Sequence, residues 1–237
     1  MRLIVVFENS ELGRRGNRNG KGRNRIHNSH RGLCVFSNNV LEEFPIKFKQ
    51  QARNCQPTGR DMFNEDLSEK SQSKERETFH RFVAKCLFLC KRARPDMQLT
   101  TVALCTRVKL PGRNNWNKLV QVMKFLSATT DDELCMSAGK GVSSSDWFSD
   151  ALFAVHPDFG SHSGSVGKFR GGKGSVICGS DKQKSNTNSS MTAESVAMHQ
   201  CPPETLHAPL FSSEQGCNIE DNAVFQDNKS TILLESN

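Results

Sequence analysis

The chain has 237 residues, of which 35% are hydrophobic, and 32 Lys and Arg against 25 Asp and Glu give it a formal net charge of +7. This length allows one domain or two small ones with a buried core. The longest apolar runs, such as residues 3–7, have five residues and are too short for a membrane span or a secretory signal. We therefore expect an intracellular protein with no membrane partner, in the cytoplasm or the nucleus.

The positive charge is concentrated at the N-terminus. Residues 1–31 hold eight basic and two acidic side chains, which account for +6 of the net +7. Residues 8–33 are rich in Gly, Asn, Arg and Ser, a composition typical of disorder. Such an arm can contact nucleic-acid phosphates, although an extension without function is the alternative interpretation. The candidate contacts are Arg14, Arg15, Arg18, Arg23 and Arg25.

The first strong helical signal begins at Phe79. From there to Cys90, apolar side chains recur at i, i+3, i+4, i+7, i+8 and i+11, which is one face of a helix. Cys86 and Cys90 share that face, so we interpret them as buried helix positions. The nine cysteines of the chain are scattered without a C-x-x-C pair. That pattern favours reduced thiols over a disulfide framework or a zinc site.

Two further helices are predicted before residue 131. The first covers residues 97–108 and ends before Pro111. Asn114 or Asn115 can cap the next one, whose apolar stripe begins at Trp116. Three short amphipathic helices with short loops make a small helical subdomain.

The pattern changes to short strand-like runs after residue 131. Residues 147–155, 164–169 and 174–178 are separated by Gly- and Ser-containing segments and predict an antiparallel meander. Ser189 and Ser190 supply N-cap residues for a helix that begins near Met191. A strand and a last helix follow, so we expect an α/β fold. The predicted units are a disordered basic arm at 1–37, a polar linker at 38–75 that contains a short amphipathic piece at 40–48, a helical subdomain at 76–130 and an α/β domain at 140–237.

Three carboxylates in the α/β part are candidates for chemistry. Asp150 lies within the first strand, Glu194 on the first turns of the helix, and Asp227 at the carboxyl end of the next strand. Open α/β sheets place ligand-binding groups at such strand ends. Carboxylates on neighbouring elements can hold Mg²⁺, and two such ions ~4 Å apart promote phosphodiester cleavage. A chain with 25 acidic residues always offers some such trio, so spacing alone is not specific.

Several ordered motifs surround these residues and add specificity. WFSDALFAVHPD (147–158), SSMTAESVA (189–197) and FQDNKSTILL (225–234) resemble the ribonuclease H segment of copia-type LTR retrotransposon Pol polyproteins. FHRFVAKCLFLCKRARPD (79–96) and NWNKLVQVMKFL (115–126) resemble the region after the reverse transcriptase palm in those polyproteins. The resemblance covers residues 40–237.

The resemblance implies an incomplete ribonuclease H-like fold with a mixed sheet, which cuts the RNA strand of an RNA–DNA hybrid with two Mg²⁺ ions. By position, Asp150 matches the metal ligand of the first strand, Glu194 the helix carboxylate, and Asp227 the ligand after the fourth strand. Lys182 and Lys184 match a basic segment near the hybrid backbone, for which a solvated strand end is the alternative interpretation.

Departures from the family pattern predict an impaired copy. Thr192 replaces the first Glu of the family's Ser-Thr-Glu-Ala-Glu motif, and Pro202-Pro203 interrupt a helix that relatives continue. The Tyr-x-Asp-Asp polymerase motif is missing. The last strand and helix, with a fourth acidic ligand, are also expected to be missing, which would leave the second ion under-coordinated. We therefore expect little activity; the alternatives are a silent remnant and an RNA-binding protein that uses the basic arm.

Overall fold

The computed structural model describes residues 26–48, 55–59, 61–132, 134–135, 144–200, 202–214, 216 and 219–235. These residues form two compact units, each taken by itself below. A helical unit contains the described residues up to 59 and those from 68 to 132. A sheet unit contains residues 61–67 and the described residues from 134 onward.

The helical unit is built from four α-helices and one 3-10 turn. The elements are α1 (Ile26–Glu43), α2 (Ser73–Arg92), a 3-10 turn (Pro95–Met97), α3 (Gln98–Cys105) and α4 (Arg113–Ala128). The predicted face of α2 is buried, including Phe79 and Phe82, and it packs against Leu119 and Met123 of α4. Cys86 and Cys90 lie on this buried face as free thiols, which confirms their interpretation as helix core positions.

The start of α4 differs from the predicted cap. The helix begins at Arg113, with Gly112 at the N-cap position and no side-chain capping bond. The backbone N–H of Arg113 donates to Glu69 O (3.2 Å), and Gly112 forms an isolated bridge with Lys70. This pairing holds Gly112 extended immediately before the helix, so the helix starts earlier than a cap at Asn114 or Asn115 would allow.

Part of the predicted disordered arm is helical. Residues 26–37 belong to α1, whereas the sequence pattern predicted disorder through residue 37. Val40 and Phe44, assigned to the linker, are both buried in the core. The Phe44 ring meets Phe82 edge-on at 4.9 Å and stacks on Trp116 at 5.9 Å. These buried aromatic contacts stabilise the packing of α1 in the core, although the composition of the segment is mostly polar.

The sheet unit contains four strands in the order β3-β2-β1-β4. Its elements are β1 (Ser144–Leu152), β2 (His162–Phe169), β3 (Ile177–Lys182), α5 (Ser190–Gln200), α6 (Pro202–Glu214), β4 (Asp221–Phe225) and α7 (Lys229–Glu235). β1, β2 and β3 pair antiparallel, as predicted, and β4 pairs parallel to β1, so the sheet is mixed. Pro202 opens α6, which confirms the predicted interruption after α5. No helix among the described residues is long and apolar enough to cross a membrane.

The α5 helix docks closely on the sheet because its contacting residues are small. Ala193 and Ala197 are almost fully buried. Gln183, which follows β3, donates from Nε2 to the carbonyl of Ala193 (2.8 Å) and to Ser163 Oγ of β2 (2.9 Å). This contact places the first turns of α5 against the strands.

Trp147 is the largest buried side chain of the sheet unit, at 2% exposure. Its indole N–H donates to Asn222 Oδ1 of β4 (2.9 Å). Gly167 lies opposite it on β2, and a Cβ built there would lie 2.4 Å from Cζ3 of the indole. A side chain at position 167 is therefore incompatible with the position of this ring.

We expect Gly167→Ala to lower the free energy of unfolding of the sheet unit by about 1–3 kcal/mol, because the new methyl group overlaps the indole. Urea denaturation followed by tryptophan fluorescence and far-UV circular dichroism measures this loss. Ser165→Ala, on the same strand, adds no atom near Trp147 and is the matched control. An unchanged midpoint for Gly167→Ala would contradict this packing.

Candidate metal centre

Asp150 lies near the carboxyl end of β1. It lies two residues before the strand ends at Leu152, and its side chain is half-buried. Asp150 Oδ1 accepts a hydrogen bond from the backbone N–H of Ala151 (2.8 Å). The carboxylate is thus held near the carboxyl end of an inner strand of the sheet.

Glu194 is brought to the sheet by the start of α5. Ser189 caps the helix, since its Oγ accepts from the Thr192 N–H (3.1 Å). Thr192 takes part in this cap through its hydroxyl, which lies 2.8 Å from Ser189 Oγ. Because Ala193 packs against the sheet, Glu194 is 7% exposed and lies close to β1. The capping chemistry predicted at Ser189 is confirmed.

Asp227 lies two residues after the end of β4 and is exposed. Since β4 is parallel to β1, both strands end at the same edge of the sheet. The last pair in the register is Phe148 opposite Phe225, and Asp150 and Asp227 each lie two residues further on. The register therefore brings the two aspartates together.

The three carboxylates form one cluster. A ligand oxygen from each of Asp150, Glu194 and Asp227 lies within 4.8 Å of the other two. Burial and the Asp150 charge raise the pKa of Glu194 to about 7. Burial, followed by the Asp227 charge, also raises the pKa of Asp150, although its bonds to Ala151 and Glu194 oppose the rise. Close like charges in a partly dry site favour either a shared proton or a cation.

The donor set fits a hard divalent cation. Mg²⁺ takes carboxylate and water oxygens at 2.0–2.1 Å, so two ligands on opposite sides of the ion lie about 4 Å apart. Oxygens already within 4.8 Å reach that spacing by small side-chain rotations. Within the described residues, this trio is the group of His, Cys, Asp and Glu that meets the spacing for a metal ion.

Gln226 completes the site and was missed by the sequence analysis. Its Nε2 donates to Glu194 Oε2 (3.2 Å), and its Oε1 accepts from the backbone N–H of Asp227 (2.7 Å). No spacing rule singles out a glutamine as a neighbour of metal ligands. The available signal was its position immediately before Asp227 within the quoted motif.

The candidate nucleic-acid contacts do not join the carboxylate cluster. Lys182, at the end of β3, forms an ion pair with Asp158, and Lys184 is exposed. Gln183 between them is buried in the contact with α5. The five arginines of the basic arm lie outside the described residues.

A second polar cluster is buried at the start of β2, where His162 lies opposite Leu152 of β1. His156 Nε2 lies 3.1 Å from His162 Nδ1, and His162 Nε2 lies 2.8 Å from Ser180 Oγ. Both imidazoles are buried and pack against Phe63. Burial, together with the neighbouring His156, lowers the pKa of His162 to about 4. The His162 imidazole therefore takes part in this hydrogen-bond chain in its neutral form.

Comparison with protein-family models, curated proteins and solved structures gives no match for this chain. Its function is therefore argued from the geometry of the three carboxylates and from the motifs quoted above.

We expect Glu194→Gln to stabilise the metal-free protein at pH 8 by roughly 1–2 kcal/mol, allowing for solvent screening at the open side of the site. Because the folded pKa of Glu194 is about 7 and its ordinary value is 4.5, the folded wild type holds an extra proton between these values. Its stability therefore falls as the pH rises through this range, and the variant removes that loss. Urea denaturation in EDTA at pH 5 and pH 8 measures the difference. Glu220→Gln, at an exposed position of the same unit, is the control. A loss of stability in Glu194→Gln at pH 8 would contradict the conclusion that ionised Glu194 destabilises the folded protein.

Acidification should destabilise the sheet unit through His162. The unfolded chain takes up a proton at a pKa near 6.5 that the folded protein takes up only near 4, so stability falls as the pH drops between these values. We expect the wild type to lose roughly 2 kcal/mol relative to His162→Gln between pH 7 and pH 4.5. Denaturation curves at both pH values measure this, with exposed His199→Gln as the control. Equal pH dependence in wild type and His162→Gln would contradict the role of this imidazole.

Proposed function

We propose that the sheet unit is a ribonuclease H-type, Mg²⁺-binding unit derived from a retrotransposon Pol polyprotein, and that this copy hydrolyses RNA in RNA–DNA hybrids only weakly. The observation that carries the proposal is the convergence of Asp150, Glu194 and Asp227 within 4.8 Å. The three residues lie on a first strand, a helix and the end of a fourth strand, the places that the family resemblance implies.

The chain's own residues have separable tasks in this proposal. Asp150, which is half-buried, and Glu194, which is buried, hold the inner side of the site, where their carboxylates are partly shielded from water. Asp227 stands on the exposed side, from which a phosphodiester approaches. Mg²⁺ bound by these groups supplies activation of a water molecule and stabilisation of the leaving oxygen. A phosphate group brings its own oxygens as further ligands, which suits a site of few carboxylates.

The weak activity follows from the size of the cluster. Two-ion catalysis needs ligands for both ions, ~4 Å apart. Among the described residues the cluster consists of three carboxylates, which hold one ion well and supply few ligands to a second. Ligands also need a rigid supporting shell, and β4, which leads to Asp227, is the outer strand of the described sheet.

The test measures metal binding and cleavage separately on the purified full chain. Mg²⁺ should raise the midpoint of thermal unfolding, and Asp150→Asn should abolish that shift because the site loses a charged ligand. Cleavage of an RNA–DNA hybrid labelled on the RNA strand should be slow in Mg²⁺, zero in EDTA and zero in Asp150→Asn. Asp181→Asn, at an exposed position of β3, should behave as the wild type.

Each alternative outcome has a definite meaning. Absence of a Mg²⁺-dependent shift in the unfolding midpoint would contradict the proposed metal site. Fast cleavage that is lost in Asp150→Asn would contradict the proposal that this copy has weak activity. Non-catalytic nucleic-acid binding by the basic arm is the alternative function, favoured by the +6 charge of residues 1–31. That alternative predicts salt-sensitive RNA binding that survives Asp150→Asn and disappears when residues 1–25, which precede α1, are deleted.

A further inference from the structure

Gln226 lies between β4 and Asp227, and both ends of its side-chain amide are engaged. The oxygen Oε1 accepts hydrogen bonds from the backbone N–H groups of Asp227 (2.7 Å) and Asn228 (3.1 Å). The nitrogen Nε2 donates to Glu194 Oε2 on α5 (3.2 Å). One side chain thus connects two elements that carry carboxylates of the cluster.

The loop after β4 is also tied to α5 by a second route. Asn228 Oδ1 caps α7 by accepting from the N–H groups of Ser230 (3.1 Å) and Thr231 (3.2 Å). Thr231, which is fully buried, donates from Oγ1 to the carbonyl of Met191 on α5 (3.3 Å). The loop is therefore connected to α5 both by Gln226 and by the contacts of Asn228 and Thr231, and the latter contacts do not involve the carboxylates.

The chemistry of the site calls for an amide at this position. The loop offers two N–H donors that need an acceptor, and Glu194 offers a carboxylate that needs a donor. A glutamate would satisfy the loop but would place another negative charge against Glu194. An apolar side chain of the same length would satisfy neither group.

We infer that Gln226 is a positioning residue for the metal site, which orients Glu194 and holds the Asp227 loop so that their carboxylates face one ion. This inference rests on the proposed function for the ion, whereas the hydrogen bonds of Gln226 are testable without it. Residues that orient metal ligands commonly change metal affinity by 10–100-fold when they are replaced.

The central experiment compares Mn²⁺ binding by the full-length wild type and Gln226→Met. Mn²⁺ prefers the same oxygen ligands as Mg²⁺ and is measured directly by electron paramagnetic resonance. We expect Gln226→Met to bind Mn²⁺ at least tenfold more weakly. Asn222→Ala is the structural control, because Asn222 of β4 accepts from Trp147 and touches no carboxylate of the cluster. It should lower thermal stability and leave Mn²⁺ affinity unchanged.

Hydrogen exchange of the metal-free protein tests the loop contact independently. The amides of Asp227 and Asn228 should exchange about tenfold faster in Gln226→Met, which lacks the acceptor. Gln226→Glu keeps an acceptor oxygen, so these amides should exchange as in the wild type. This conservative variant separates the loop contact from the contact with Glu194.

The outcomes distinguish the inference from the proposal beneath it. Wild-type protein that binds no Mn²⁺ would overturn the metal site, while faster exchange in Gln226→Met would still establish the loop contact. Unchanged Mn²⁺ affinity in Gln226→Met, with a wild type that binds the ion, would overturn the positioning role. An equal loss of affinity in Asn222→Ala would also overturn it, since general loosening of β4 would then suffice.

Discussion

The parallel register of β1 and β4 is the constraint on which the candidate site depends. Phe148 lies opposite Phe225, their rings stack at 5.0 Å, and the next positions of the same face carry Asp150 and Asp227. A slip of one residue would turn one aspartate to the other face of the sheet. Arg170 holds this register, because it bridges Asp146 of β1 (2.7 Å) and Asp221 of β4 (2.7 Å).

Burial and charge repulsion together set the character of the site. Both oppose folding of the metal-free protein with three ionised carboxylates, and both raise the pKa of Glu194, burial more than the Asp150 charge. Hydrogen bonds from Gln226 to Glu194 and from the Ala151 N–H to Asp150 offset part of this cost. A divalent cation would attract all three carboxylates and so offset their mutual repulsion. The stability of the protein and its affinity for the metal are therefore linked through the same charges.

Regular patterns were readable from the sequence, and local contacts with distant partners were not. The apolar period of α2, the antiparallel meander and the Ser189 cap follow from spacing and residue type. The early start of α4 depends on an extended pairing of Gly112 with Lys70, which lies 42 positions away in the chain. The amphipathic piece at 40–48 was readable, but the partners that bury Phe44 are Phe82 of α2 and Trp116 of α4, which lie far away in the chain.

The sequence by itself determined which elements carry Asp150, Glu194 and Asp227, since strand alternation, a capped helix and a strand end are local properties. Only the tertiary structure decided that their oxygens meet within 4.8 Å, because that distance depends on strand order, parallel register and close docking of α5. It also revealed Gln226, whose role consists of hydrogen bonds to a helix 32 residues earlier in the chain. Non-local hydrogen bonds of this kind leave no periodic trace in a sequence.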